Sequence, residues 1–382
     1  MLSPPRFAEI PLVLFAALCI VGAELGQLIV VPVGDLALPA FWPPLGVLVA
    51  ALILADRRRW RSLVAAACGA MVLSMAVLHG RPVLPSLGLS VIVGLEACVA
   101  AWLVRRATGD RFALNRLSHT WALVVSSTLV PAAGGALATS VLLFAGLPWS
   151  FAGWRAWWLA EALGMLVTAP LVIAAIAERP AFATIVRSWK ALEVAVVFAG
   201  GITTAVIIFG ETVDPLLRIP AYLLPFLLWP VLRFGPGAAS AIVFIVSFIG
   251  LWNAAQGQGP FAMVGATAVN LVLRSQGAMA AVAVSFLLLA SVVAERKRVA
   301  QEYAVLVTEL QQAMLEIRTL RGFIPICAWC HKVRDDAGFW QQIEGYLDAH
   351  TDATFSHGIC PACAEEAHDE ISAHDEMTGR AS

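Results

Sequence analysis

Ten apolar stretches, each long enough or nearly long enough to cross a bilayer, decide what this chain can become. They run 9–31, 40–55, 62–79, 84–104, 119–145, 155–177, 191–210, 217–233, 237–254 and 276–294. A hydrocarbon core about 30 Å thick takes roughly 20 helical residues to span. The second and eighth stretches are short or interrupted by proline, so eight to ten spans are expected. The apolar segment 262–275 is left unassigned. Composition agrees: 60% of residues are hydrophobic and 13% charged, against about 25% charged in a soluble domain. The expected fold is mainly α, a polytopic membrane helix bundle, followed by a coiled-coil helix and a small zinc-ribbon-like α+β tail. The corresponding domain limits are 1–294, 295–324 and 325–382.

Lysine and arginine in the short loops set the orientation. With the N-terminus inside, the inner loops carry Arg57, Arg58, Arg59, Arg61, Arg105, Arg106, Arg111, Arg116, Arg179, Arg187, Lys190, Arg233, Arg296, Lys297 and Arg298. Arg81, Arg155 and Arg218 fall in the outer loops. An even number of spans then places both termini in the cytoplasm. The opening "MLSPPRFAEIPLVLFAALCIVG" has too long an apolar run for a signal peptide and lacks a clean small-x-small cleavage site, so it reads as an uncleaved first span.

Polar features inside the apolar body are few. Glu24, Glu96 and Glu161 fall within or near the ends of spans, where an ionised side chain costs roughly 2.5–3.5 kcal/mol even on insertion scales. Such groups line a cavity, pair across helices or titrate. A structural interhelical hydrogen bond or a protonated carboxyl is the competing reading. Arg155 lies six residues before Glu161, too far for i,i+4 pairing. Pro43 and Pro44 remove two backbone donors, which places Trp42 at a helix break, either as an interfacial aromatic anchor or at the mouth of a ligand cavity.

Five phrases in order, "FWPPLGV" (41–47), "LEACVAAWLVRR" (95–106), "WWLAEALGMLVTAPLVI" (157–173), "LWPVLRFGPGAA" (228–239) and "GQGPFA" (257–262), resemble the bacterial membrane-associated sensor (MASE-type) domain family. The resemblance covers about residues 9–295. In that family the Trp-Trp phrase continues Leu-Gly-Asp, whereas here it runs Leu159-Ala160-Glu161: the carboxylate is kept, one methylene longer. The resemblance implies a sensory input module in a bacterial inner membrane and specifies no ligand. Trp42, Glu96, Trp157, Trp158 and Glu161 are the candidate ligand-binding residues.

Beyond the last span, Val299, Tyr303, Leu306, Leu310, Ala313, Ile317 and Leu320 alternate in steps of four and three, the a/d pattern of a coiled coil. A parallel homodimeric stalk follows from it; one amphipathic helix lying on its own domain is the alternative. Pro325 is expected to stop the helix.

The tail then carries Cys327-x-x-Cys330 and Cys360-x-x-Cys363. Two such knuckles supply the four thiolates that tetrahedral zinc favours. The spacer between them is longer than a zinc ribbon's usual 15–20 residues. A helix in "GFWQQIEGYLDAH" accounts for the excess, with Asp335 and Asp336 making the turn before it. Pro361 suits the first turn of a closing helix. Structural zinc is the expected cofactor. A redox pair lacks the preceding strand–helix context of thioredoxin-type motifs, haem attachment through "CAWCH" belongs outside the cytoplasm, and an iron–sulfur cluster is a further alternative. The other cysteines, Cys19, Cys68 and Cys98, read as small apolar residues.

"LRGFIPICAWCHKVRDDAGFWQQIEGYL" and "FSHGICPAC" also resemble a small module at the C-termini of bacterial sensor and response-regulator proteins, over residues 309–364. It implies no activity. From Gly322 onward three basic residues face eleven acidic ones, a net of −8. No nucleic-acid partner is expected, because phosphate binding needs a basic face. The tail is also too short for a kinase or cyclase, so no enzyme activity is expected. The expectation is a sensory, signal-transducing membrane protein that binds an unknown small molecule and an unknown cytoplasmic signalling protein. The alternative is a transporter or intramembrane enzyme using the buried glutamates, though no paired broken spans in repeated halves point to it.

Overall fold

A computed structural model describes residues 11–33, 36–109, 112–144, 146, 151–177, 190–211, 215–262, 267–321, 324–335, 337–350 and 354–378. Two units divide it, Met1–Gln301 and Glu302–Ser382.

The first unit is a polytopic helix bundle. Its helices are α1 (Leu12–Gln27), α2 (Pro43–Leu54), α3 (Trp60–Val72), α4 (Val83–Thr108), α5 (Leu117–Phe144), α6 (Phe151–Ala177), α7 (Lys190–Phe209), α8 (Leu224–Arg233) and α9 (Pro236–Ala255). The last helix, α10 (Ala268–Arg321), begins in this unit and continues into the second. Among the described residues seven helical stretches are long and apolar enough to cross a membrane, and α1 and α2 are shorter apolar helices. The unassigned segment resolves in part: residues from Ala268 onward open α10. The eighth stretch is short because Pro220–Leu223 forms a 3-10 turn and only Leu224–Arg233 is α-helical. Apolar side chains on the bundle's outside, such as Leu84, Leu95, Leu129 and Val196, are exposed. That is the expected condition of a surface solvated by lipid.

Helix α2 is the axis of the first half. Every residue from Pro43 to Ile53 is buried, which explains its uninterrupted apolar sequence. Pro43 and Pro44 do not break it. They occupy its first positions, where the backbone N–H has no helical partner to lose. At 12 residues the helix is about 18 Å long, too short for a hydrocarbon core. A hairpin precedes it, β1 (Val30–Val33) against β2 (Leu36–Pro39), antiparallel with Val31 opposite Leu38.

Irregular backbone at such a position survives only where protein satisfies it, and here it does. The Ala40 N–H donates to Ile29 O at 2.7 Å and the Trp42 N–H to Ala160 O at 3.2 Å. The Ala40 carbonyl accepts from Gln276 Nε2 of α10 at 2.7 Å. Glycines allow the approach: a side chain on Gly164 would meet the Trp42 backbone, and one on Gly26 the Trp42 ring.

Helix α6 joins the two halves of the bundle. Met165, Ala169 and Ile173 pack with α1–α4, whereas Leu163, Leu166 and Val167 pack with α7, α9 and α10. Three polar ties fix α10 against the rest of this unit besides Gln276. The Ser291 and Thr120 hydroxyls lie 2.5 Å apart, Glu295 Oε2 accepts from the Leu117 N–H that opens α5, and Lys297 Nζ donates to Leu232 O at 2.6 Å.

In the second unit α10 runs to Arg321. A small hairpin follows, β3 (Val333–Arg334) against β4 (Trp340–Gln341). Asp335 Oδ1 shapes its turn, accepting from the N–H groups of Ala337 at 3.0 Å and Phe339 at 2.8 Å. Asp336 lies outside the described residues. Helix α11 (Ile343–His350) is shorter than the sequence suggested. Trp340 and Gln341 pair as a strand, because the Asp335 turn folds them back onto Val333 and Arg334. Helix α12 (Pro361–Thr378) starts on Pro361, as expected.

Candidate functional site

A small cavity opens among the ends of α1 and α4, the hairpin and the middle of α6. Gln27, Trp42, Met75, Arg81, Trp157 and Glu161 line it together with Leu38, Pro39, Leu89, Val93 and Ala160. Its room is about 40 Å³ as traced by the centres of water-sized spheres. Since one water needs roughly 10–15 Å³ on that measure, it holds about three waters.

Each wall has a local cause. Trp42 caps the buried helix α2 and is 6% exposed. Its ring is covered by protein, because the hairpin carries it against Gly26 of α1 and Gly164 of α6. Trp157 and Glu161 are four residues apart on α6 and share a helix face. Arg81 is in the connection between α3 and α4; its Nη2 donates to Gln27 Oε1 at 3.1 Å and to Ala37 O at 3.3 Å. Just before it, residues Leu73–Leu78 widen into a π-helix. There the Ser74 hydroxyl donates to Glu24 Oε1 at 2.6 Å, and His79 Nε2 lies 2.9 Å from Glu24 Oε2. Glu24 thus has partners.

Glu161 and Glu96 do not. They are 2% and 4% exposed and close enough for their charges to interact. Glu161 Oε2 and both Glu96 oxygens are buried without a hydrogen-bond partner, and so are Trp42 Nε1, Trp157 Nε1 and Gln27 Nε2. The Glu96 carboxyl lies against Gly134 of α5, where a side chain would collide with it. Trp157 Nε1 sits beside that carboxyl, yet the two do not meet hydrogen-bond geometry. Buried polar groups are normally paired, so these atoms leave hydrogen-bonding capacity for water or another polar group.

Four of the five candidate residues thus come together: Trp42, Glu96, Trp157 and Glu161. Trp158 faces elsewhere. Its ring stacks on Trp154 at 5.3 Å, and its Nε1 donates to Thr128 O of α5 at 2.8 Å, near Pro131. Trp154 Nε1 makes the matching bond to Ala132 O at 3.0 Å, so this pair staples α6 to α5. Sequence reasoning missed Gln27, Gly134 and Gln276, and counted Arg81 only as a loop charge. Gln276 had one legible signal, an amide at the head of the last apolar stretch.

In the tail, the cysteine pairs form two local turns. His331 N–H donates to Cys327 O at 2.9 Å, with His331 in the left-handed region at φ 56°. Cys363 N–H donates to Cys360 Sγ at 3.4 Å, capping α12. The Cys327 thiol is held below its ordinary pKa, first by the backbone N–H of Cys330 and then by that of Trp329. The Cys360 thiol is lowered likewise, first by the backbone N–H of Cys363. Donors aimed at sulfur suit a thiolate ligand, so each pair fits half of a four-thiolate site. The structure does not unite the halves: among the described residues no three His, Cys, Asp or Glu side chains are grouped to hold a metal ion.

Comparison with curated proteins and with solved structures gave no match. One family model does match, over residues 10–297, a stretch that contains the whole cavity and the Gln276 contact. This multi-pass membrane protein, with its sensory membrane domain, belongs to the MASE1 family of membrane-associated sensor domains.

Proposed function

We propose that the membrane domain is a ligand-responsive input and that α10 carries its state to the cysteine-containing tail. The observation that supports this most is the orphaned carboxyl pair, Glu161 and Glu96, at a cavity in the bundle. Trp42, in the cavity wall, is two residues from Ala40, whose carbonyl is held by Gln276 of the output helix. A ligand that moved Trp42 would load that bond directly. The other ties along α10, at Ser291, Glu295 and Lys297, give the helix discrete contacts to exchange rather than a continuous slide.

In this reading the protein is not an enzyme. It sits in a bacterial inner membrane with both termini cytoplasmic, an orientation that the excess of lysine and arginine in the inner loops favours. Beyond the bundle, Val299, Tyr303, Leu306 and Leu310 are exposed on the single chain, which favours a parallel homodimer as their cover. A structural zinc would be held by Cys327, Cys330, Cys360 and Cys363. When bound, it would supply folding energy to a module whose Trp329 and Phe339 are 94% and 72% exposed. The acidic tail would then engage a cytoplasmic signalling protein, and not nucleic acid.

The test places a photo-crosslinking amino acid at Leu310 in full-length protein in native membranes. Strong crosslinking to a second copy is expected there, and weak crosslinking at Gln311 and Gln312. Glu161→Gln and Glu161→Leu should both alter the Leu310 yield while insertion is unchanged. If Glu161→Gln matches the wild type, the carboxyl is a structural hydrogen-bonding group and the sensory reading of this cavity fails.

A further inference from the structure

We infer that the cavity binds a small zwitterion, an amino acid with a side chain no larger than a methyl group. This rests on the sensory reading above and adds the ligand's chemical class. The argument starts from charge. Glu161 lines the cavity, Glu96 lies near enough for the two charges to interact, and among the described residues neither forms an ion pair. A buried carboxyl carries its charge only when paired, so a positive group beside Glu161 would meet an acceptor that no other group among the described residues occupies. The Trp42 and Trp157 rings line the same space, and a desolvated cation gains about 2 kcal/mol or more over such a face. An ammonium group satisfies both requirements at once.

The mouth requires the opposite. Gln27 closes α1 and Arg81 precedes α4, so both stand at helix ends. Arg81 fixes the Gln27 amide by donating to its oxygen, which leaves Gln27 Nε2 buried without an acceptor. Among the described residues only the Nη2 donors of Arg81 are committed. An amide donor beside a guanidinium is a carboxylate receptor. A simple amine would leave these donors unanswered, and a simple carboxylic acid would leave Glu161 and Glu96 unanswered. A compound with both groups answers all of them.

Size narrows the class further. Room for about three waters excludes sugars, nucleotides and peptides, and leaves only molecules of a few heavy atoms. Glycine, alanine and β-alanine fall in that range.

The experiment uses full-length protein in lipid nanodiscs, titrated with glycine, alanine and β-alanine. Methylammonium, acetate and acetamide serve as half-ligand controls. Thermal stability and the Leu310 crosslinking yield are read together. At least one zwitterion is expected to stabilise saturably, with every control at least tenfold weaker. Glu161→Gln and Arg81→Gln should each weaken that zwitterion at least tenfold, removing opposite ends of the same site. Glu96→Gln provides a second carboxyl variant should Glu161→Gln fold poorly. The proposal is overturned if no zwitterion stabilises, if methylammonium or acetate does equally well, or if Arg81→Gln binds unchanged. Should the zwitterions fail while Glu161→Gln still shifts the Leu310 yield, the ligand class is wrong and the sensory site stands. Should Glu161→Gln move neither readout, the site itself falls.

Discussion

A methyl group at Gly164 should damage the cavity more than any change of charge near it. A Cβ at that position would lie 2.6 Å from the Trp42 carbonyl carbon and closer still to its oxygen. Ordinary contact is about 3.5 Å, so α6 and the Trp42 turn must separate by roughly 1 Å. The obstacle is backbone, which cannot rotate away. The α2 side of the contact is equally tight: a side chain on Gly46 would stand 2.6 Å from Gly164 O and 2.8 Å from Thr168 Cβ. Overpacking of this kind costs about 1–3 kcal/mol. Separation would also stretch the Trp42–Ala160 hydrogen bond, worth about 1 kcal/mol net. Removing a helical glycine returns up to about 1 kcal/mol, leaving a net loss of about 1–3 kcal/mol. At roughly 2 °C per kcal/mol in a chain of this size, Tm should fall by about 2–6 °C. Labelling of Cys19, which is fully buried on α1, by a thiol-reactive dye during heating reports the unfolding. Gly69→Ala is the control: nothing lies within 4 Å of its added methyl, so it should be neutral or mildly stabilising. If Gly164→Ala unfolds with or above Gly69→Ala, the close α2–α6 crossing described here is wrong.

Two further predictions concern the tail. Full-length protein purified with zinc available should carry about one zinc per chain, and Cys327→Ser or Cys360→Ser should remove it; metal-free protein under those conditions would leave the redox-thiol reading in front. After chelation, iodoacetamide alkylation of Cys327 and Cys360 followed by mass spectrometry should show midpoints below the ordinary thiol value of about 8.5, because backbone N–H groups favour the thiolates. The folded-state pKa values are depressed, so any stability from these bonds is present above the unfolded value and fades as pH falls through the folded one. Midpoints at or above about 8.5 would mean that the turns do not hold the thiolates in the metal-free chain.

The spans and the candidate cavity differed in how far the sequence disclosed them. Length and hydropathy located the long helices because lipid imposes them residue by residue. The same rule mishandled residues 28–44. There the chain enters as a hairpin whose flanking backbone is satisfied by Ile29 within the segment and by Ala160 and Gln276, partners distant in sequence. Pro43 and Pro44 looked like an interruption because a one-dimensional reading sees the missing donors and not that they fall where a helix needs none. In the tail, Trp340 fits the apolar face of a helix equally well. The Asp335 side chain decided for a strand by organising the turn before it.

The glutamates were legible for a different reason. A carboxyl in an apolar run violates the local rule so strongly that it must answer to something outside the helix, and Glu96 and Glu161 do come near enough for their charges to interact. Their counterparts were silent because they break no rule where they stand. Arg81 is an ordinary loop arginine, and Gln27 an ordinary helix-ending amide. Gly134 is one of 29 glycines, set apart only by the Glu96 carboxyl resting where its side chain would be. Gln276 likewise gains its meaning from Ala40, more than 200 positions earlier. A binding site is a relation among such residues, and the Ala40–Gln276 bond makes this one a relation with the output helix as well. In the proposed reading, a ligand filling the cavity would act on Trp42, and only Phe41 separates that residue from the Ala40 carbonyl that Gln276 holds.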